Sequence, residues 1–448
     1  MANTSIKPDS TRALFARLRA ANLAFTAENP GDSGARQPVH TVYGGAHLFR
    51  ADTSRKMGGL ALKFMREYFP DAQTLARALE LGAQPELVHG RVMKKLEREP
   101  VEDFRIDFED GYGNRPDAEE DRHAEQAAAE IARGMAEGTL PPFIGIRIKT
   151  FSDELLARSS RTLDVFLTAL LSKSGGRLPG NFVVTLPKVN IPEQVSTCAE
   201  LLALVEDAHR LPRRSLKLEI MIETTQAVIG PRGDLPIRAM VKAADGRCVG
   251  AHFGTYDYTA SCDITAACQS MTHPACDFAK DVMKVALAGS GIALSDGATS
   301  IMPVPKYKAA EGEKLTAAQL EENRTVVHAA SKLHYDQARN SMVNGFYQGW
   351  DLHPAQLVTR YAAVYAFFLE GLDAASLRLK NFVAKAAQAT LVGDVFDDAA
   401  TGQGLLNYFL RGLSCGALTE EEALATGLTL EELRGKSFVK LVNNRRAE

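Results

Sequence analysis

The chain has no apolar run that approaches the roughly 20 residues needed to cross a bilayer, so no membrane span is expected. Cysteine is also scarce, with six among 448 residues. That is too few for a disulfide scaffold of this size, and reduced, mostly buried thiols in a cytoplasmic protein are the expected state. Neither charge sign is in excess: the net charge is −3, which gives no sign of a nucleic-acid or membrane surface. The opening MANTSIKPDSTRALFARLRAANLAF is polar and then helical, without the apolar core of a signal peptide. Internal repeats, low-complexity tracts and Pro/Ser-rich linkers are missing. So is any Gly-x-Gly-x-x-Gly that follows a strand and opens a helix; Gly289 and Gly291 precede a strand and lack the third glycine. This counts against a doubly wound dinucleotide-binding sheet. Three cysteines and His273 fall in SCDITAACQSMTHPAC, but the spacing has no paired Cys-x-x-Cys and reads as free thiols rather than a zinc site.

What is present is a recurrence of short β-branched or aromatic runs: VHTVYGGAHLF, FRIDFED, FIGIRIK, FVVTLPKV, LKLEIMIE, VGAHFGTYDYT, IALSDGATS and GFYQGWDLHP. Longer helical patterns lie between them, as in AEEDRHAEQAAAEIARGMAEG and AQLEENRTVVHAASKLHYDQARNSMV. Eight strands alternating with helices predict an α/β fold, a (β/α)8 TIM barrel over residues 1–370 including an N-terminal helix. Residues 371–448 read as a helical C-terminal extension.

On that reading polar residues gather at the strand ends. Asp107, Glu109 and Asp110 close the second strand, Arg147 the third, Lys188 the fourth and Glu223 the fifth. Asp257, Asp296 and His353 close the sixth, seventh and eighth. In a barrel those ends line one mouth, where enzymes of this fold hold their active sites. A few carboxylates with water and substrate oxygens are what Mg2+ prefers, with Mn2+ as the alternative. An arginine fork beside them suits a carboxylate or a developing oxyanion, and metal plus arginine together suit enolate chemistry. The alternative for any pair taken singly is a structural ion pair, and Lys188 after Pro187 can simply seat the chain near water.

These segments resemble a known family. RIDFEDGYGNRPDAEEDRHA is similar to the "DLEDAV" segment of the citrate lyase beta subunit and its relatives, IGIRIKT to their "VRIN", TLPKV to their "PK" strand and IMIETTQAV to their "IETA.G" strand. FGTYDYT resembles "G..D" and GWDLHPAQL resembles "IHP.Q", all in the same order from about residue 39 to 370. The chain thus resembles the citrate lyase beta, HpcH-type aldolase and malyl-CoA lyase group of pyruvate-binding barrels, and DFED is similar to a segment of the malate synthases, which share that barrel.

The resemblance implies that Glu223 and Asp257 ligate Mg2+, that Arg147 stabilises the enolate or grips the oxo acid, and that Asp107, Glu109 and Asp110 surround the metal's waters. Strand alternation puts Asp107 and Glu109 on one side as the metal-facing pair, with Asp110 fixing the loop or the substrate. Gly254 and Lys188 are expected to border the substrate. In malyl-CoA-type lyases a C-terminal aspartate is the acid/base, for which Asp397 and Asp398 of VFDDAATG are the candidates; otherwise they cap a helix or turn. Lys149 stands where the family has asparagine, and an insertion lengthens the interval between Glu223 and Asp257. The activity implied is carbon–carbon lyase or aldolase chemistry on a hydroxy acid or its CoA thioester, by a homo-oligomer, trimer or hexamer. The rivals are a malate-synthase-like condensing enzyme, a thioesterase, and a catalytically silent barrel subunit. Arg50, Arg55 and Lys56 either meet a CoA phosphate or form a solvated helix start.

Overall fold

A computed structural model describes residues 6, 8–31, 34–82, 84–310, 312–384, 390–392, 395–397, 399–435 and 441. Its strands are β1 (His40–Gly45), β2 (Asp103–Asp107), β3 (Phe143–Arg147), β4 (Phe182–Leu186), β5 (Lys217–Ile222), β6 (Cys248–Phe253), β7 (Ala293–Ala298), β8 (Gln348–Asp351), β9 (Thr390–Val392) and β10 (Val395–Asp397). The first eight pair in parallel, in chain order, and close into a barrel; β9 and β10 form a separate antiparallel ribbon. The segment read as a helical extension therefore also contains a small sheet.

The helices before the sixth strand are α1 (Pro8–Glu28), α2 (Thr53–Tyr68), α3 (Ala72–Leu79), α4 (Pro85–Arg98), α5 (Asp117–Glu137), α6 (Leu156–Lys173), α7 (Pro192–Ala208), α8 (Thr225–Val228) and α9 (Ile237–Ala243). After it come α10 (Thr255–Ser261), α11 (Pro274–Leu287), α12 (Ala317–Val343), α13 (Pro354–Glu370), α14 (Leu372–Ala384), α15 (Ala399–Ser414), α16 (Glu420–Leu424) and α17 (Leu430–Arg434). Among the described residues no helix is long and apolar enough to cross a membrane. The lengthened interval after Glu223 forms α8 and α9, which lie before β6.

Alternation along β2 shows how the barrel is organised. Phe104 and Phe108 pack outward, Phe104 on Phe49 and Phe108 on Phe166 of α6. Asp103, Arg105 and Asp107 point inward, as the two-residue strand period requires. Arg105 spans the interior, its Nε 2.7 Å from Glu219 Oε1 and its Nη2 2.9 Å from Oε2. The β1–β8 seam carries a second buried ionic knot on the helix side. Asp351 of β8 accepts from Arg360 of α13 at 2.8 Å, lies 3.0 Å from His334 of α12 and 3.1 Å from His40 of β1. That knot ties both helices to the closing strands.

Asp296 belongs to this outer layer rather than to the mouth. It lies within β7, and its Oδ2 accepts from Ser341 of α12 at 2.6 Å and from Lys280 of α11 at 3.3 Å. His353 likewise caps α13, accepting from the Ala355 N–H at 3.2 Å, so its ring is spent on the helix start. Both residues were expected at the mouth; the structure turns Asp296 to the helices instead and leaves His353 in the loop after β8, at the start of α13.

Candidate active site

The C-terminal ends of β2 and β3 build a fixed arginine. Asp107 takes both arms of the Arg147 fork, Nε to Oδ1 at 2.7 Å and Nη2 to Oδ2 at 2.6 Å. Two backbone N–H groups complete it, Glu109 to Oδ1 at 3.0 Å and Gly111 to Oδ2 at 2.7 Å. A Cβ on Gly111 would stand 2.5 Å from Asp107 Oδ2, so a glycine is required for this closure. With four donors on two oxygens, Asp107 is committed to aiming Arg147. Burial opposes the arginine's charge, but the Asp107 carboxylate more than offsets it and raises the guanidinium's hold on its proton.

Glu109 shares the side of Asp107, as alternation requires, and it also answers to cations of the protein. Its Oε2 lies 3.2 Å from Arg147 Nη1, and its Oε1 accepts from Lys188 Nζ. Burial raises its proton affinity against both charges. Asp110, largely exposed, takes the same ammonium at 3.0 Å. Asp107 and Glu109 thus hold Arg147 and Lys188 rather than facing a metal as a free pair.

Lys188 links this corner to the next two strands. Its backbone is left-handed, with φ of 49°, which is costly for a residue with a side chain and sends its N–H to Glu223 Oε1 at 2.7 Å. Its ammonium lies 3.7 Å from Asp257. Glu223 follows the last residue of β5 and is 1% exposed. Asp257 is in the first turn of α10, beyond the end of β6, which stops at Phe253. Burial, and then the charge of Asp257, push the Glu223 carboxyl up to about 8. Gly254 makes room for this carboxylate: a Cβ there would sit 2.3 Å from Glu223 Oε2 and 2.4 Å from its Cβ. Gly254→Ala should therefore displace Glu223. Affinity for Mg2+ or Mn2+ is expected to fall at least about tenfold while the circular dichroism spectrum is unchanged; unaltered affinity would remove Glu223 from the site.

Two residues of the quoted runs carry functional groups that charge-based reading passes over. The Arg147 guanidinium lies 4.7 Å from the Tyr43 ring centre and 5.4 Å from that of Trp350. The two rings are 4.3 Å apart. The Tyr43 hydroxyl and Trp350 Nε1 are buried and have no protein partner. Orphaned buried donors are rare in folded proteins, and a ligand rich in acceptors is one way to satisfy them.

Among the described residues no three His, Cys, Asp or Glu side chains converge as a complete metal cage. Glu223 and Asp257 nevertheless fit a hard divalent cation. They supply oxygen only, and one or two carboxylates completed by water and substrate is the usual Mg2+ arrangement. The buried Glu223 carboxyl, held protonated beside a second acid, marks a place where positive charge is favoured.

The remaining expectations fall elsewhere. Lys149 turns outward, donating to Phe108 O at 2.6 Å and to Glu120 of α5 at 2.8 Å, so it does not disturb Arg147. Arg50 caps loop carbonyls, with Nη1 2.6 Å from Phe49 O, and Lys56 pairs with Asp52 at 3.1 Å. His273 caps α11 through Ala275 N at 3.1 Å, and Cys262, Cys268 and Cys276 are free thiols of which Cys268 is exposed. Asp398 lies outside the described residues.

A family model described as a domain of unknown function, DUF6986, matches residues 18–441. No curated protein matches. Among solved structures, a citrate lyase from Burkholderia xenovorans LB400 is similar with a TM-score of 0.55 and 17% identity, covering 88% of this chain and 96% of that one. The malate synthase of Haloferax volcanii in its magnesium/glyoxylate complex gives a TM-score of 0.46 at 14% identity, covering 92% and 98%. At such identities the citrate lyase likeness is one of fold: this chain shares its barrel.

Proposed function

The chain belongs to the DUF6986 family, whose description carries no activity; from the chemistry of the barrel mouth we propose that it is a divalent-metal-dependent carbon–carbon lyase or aldolase. Its substrate would be a small hydroxy acid or its CoA thioester, cleaved, or in reverse condensed, through an enolate. The observation that carries this reading is the pairing of a buried, carboxylate-clamped Arg147 with two unpartnered donors, next to the acid pair Glu223 and Asp257. The fold shared with a citrate lyase supports it.

Arg147 grips the carboxylate of an oxo-acid fragment or the oxygen on which charge develops, with its fork already aimed by Asp107. The Tyr43 hydroxyl and the Trp350 indole N–H donate to the same fragment. The proton affinity of Tyr43 is raised far above its usual range, first by burial, so it remains a donor throughout. Glu223 and Asp257 would hold Mg2+ or Mn2+, which when bound polarises a carbonyl and stabilises negative oxygen. Lys188 keeps Glu109 and Asp110 neutralised and, through its N–H, keeps Glu223 in place.

A substrate screen tests the proposal: malyl-CoA, citramalyl-CoA, citryl-CoA and free 4-hydroxy-2-oxo acids, each with Mg2+ and with EDTA. Cleavage of at least one, abolished by EDTA, is the expected result. The absence of turnover together with the absence of Mg2+ binding in the presence of oxalate would leave a silent barrel and end the reading.

A further inference from the structure

The N-terminal helix α1 stands apart from the barrel. Its residues from Arg12 to Glu28 are all exposed, and Leu14, Phe15, Leu18, Leu23 and Phe25 are each at least 50% exposed. A helix in water draws most of its stability from packing an apolar face, and here that face is left open. Leu14, Leu18, Ala21 and Phe25 recur at the i, i+4, i+7, i+11 spacing of a packing seam, with Phe15 beside it. Residues 10–27 carry three arginines, Arg12, Arg17 and Arg19, and no acid.

The root of this helix is fixed. The Asn29 N–H and Nδ2 donate to Phe25 O at 2.9 and 3.0 Å, and Asn29 Oδ1 accepts from Arg238 at 2.8 Å. The Gly31 N–H donates to Gly289 O at 2.8 Å, in the turn just after α11. Beside that root, α11 presents a face of the same kind. Phe278, Val282 and Val285 lie at i, i+4 and i+7, with Phe278 51% and Val285 74% exposed. Val343, 71% exposed, ends α12 next to them, since Lys284 of α11 donates to Gly345 O two residues further on. The charges of α11 are sorted by side. Lys280 is buried against Asp296 and Lys284 turns to Gly345 O, whereas Asp281 is exposed and Asp277 half-exposed. The open face of α11 is therefore apolar and acidic, and that of α1 apolar and basic.

We propose that α1 is an exchanged arm. In a two-fold dimer it lies on the Phe278–Val285 face of a second copy, its arginines along Asp277 and Asp281, and the second copy's arm returns the contact. Root and acceptor share one corner of the molecule, so a single two-fold axis serves both contacts, as an isologous interface requires. The chain's own α11 is not the acceptor: α1 would have to reverse over Asn29–Gly31, which the bonds to Arg238 and Gly289 hold. A lipid surface would suit the basic, apolar helix but not the acidic face beside its root. The arm stands whether or not the lyase reading does.

Sedimentation equilibrium of the intact chain tests this. The wild type should dimerise with a Kd below about 10 μM. Leu18→Asp on the arm and Phe278→Asp on the acceptor should each weaken the dimer at least about 100-fold, with the circular dichroism spectrum unchanged. Val285→Asp, at a still more exposed position, stands in if Phe278→Asp does not fold. An equimolar mixture of the arm and acceptor variants separates exchange from any other contact. Its heterodimer keeps one intact arm on one intact face, and should form at least about tenfold more tightly than either variant with itself. A dimer that both acceptor variants leave unchanged overturns the proposal, because the arms would then pair with each other. So does a wild type still monomeric at about 100 μM. Binding of that monomer to vesicles of phosphatidylglycerol and phosphatidylcholine, lost in Leu18→Asp, would assign the helix to a lipid surface instead.

Discussion

Arg147→Lys is expected to lower turnover by about 10²–10³-fold with the barrel intact, which is the range for removing one oxyanion-stabilising donor. Lysine keeps a cation near Asp107 but lacks the planar fork, so it cannot hold two Asp107 oxygens and still present an N–H to substrate. Arg147→Ala should lose at least as much activity. It also leaves Asp107 buried without its counter-charge, a change that typically costs about 3–5 kcal/mol of stability. The two variants together separate the effects: loss of activity common to both belongs to catalysis, and the extra drop in denaturation midpoint in the alanine variant belongs to the stranded carboxylate. Steady-state assay on whichever substrate the screen yields, with urea denaturation alongside, gives both numbers. Wild-type turnover in Arg147→Lys would show that the fork does not touch the reacting oxygen.

The eight barrel strands were legible because parallel strands, covered on both faces, read as unbroken β-branched and aromatic runs. Helical segments in every interval between them, mostly of a dozen or more residues, left little freedom of topology. The position of a candidate side chain at the mouth was legible where a charge stands at or just past a strand end, as with Arg147, Lys188 and Glu223. Asp296 was misplaced because position near a strand end was taken as facing the mouth. Parity carries the missing signal: counted in steps of two from Gln348-facing Ser295, Asp296 points to the helices, where Lys280 and Ser341 meet it. The Arg105–Glu219 bond joins residues 114 positions apart, and FRID on its own reads like any strand with one exposed arginine. Tyr43 and Trp350 were inside recognised runs, but a lost hydrogen-bond partner is a property of packing and leaves no mark on composition.

Binding of Mg2+ or Mn2+ should be strongly pH-dependent and should disappear with Glu223→Gln. The Glu223 carboxyl stands at about 8 against an ordinary value of 4.5, raised by burial and by Asp257. Below about 4.5 it is protonated folded or unfolded; between there and about 8 only the folded chain keeps the proton, so stability of the metal-free protein falls as pH rises across that window. A cation must displace that proton. Its apparent affinity should therefore drop by about tenfold per pH unit below about 8, and by about 100-fold between pH 8 and pH 6. Glu223→Gln removes the proton and the charge together. The stability slope between pH 5 and pH 8 should flatten in EDTA, and cation affinity should fall by at least about 100-fold, beyond what loss of a ligand's outer partners usually costs. Thermal melts in EDTA and titration with Mn2+ followed by electron paramagnetic resonance read the two effects separately. If wild-type affinity were level from about pH 6 to pH 8, the cation would not reach Glu223, and the Lys188 ammonium, 3.7 Å from Asp257, would be the positive charge this mouth was built around.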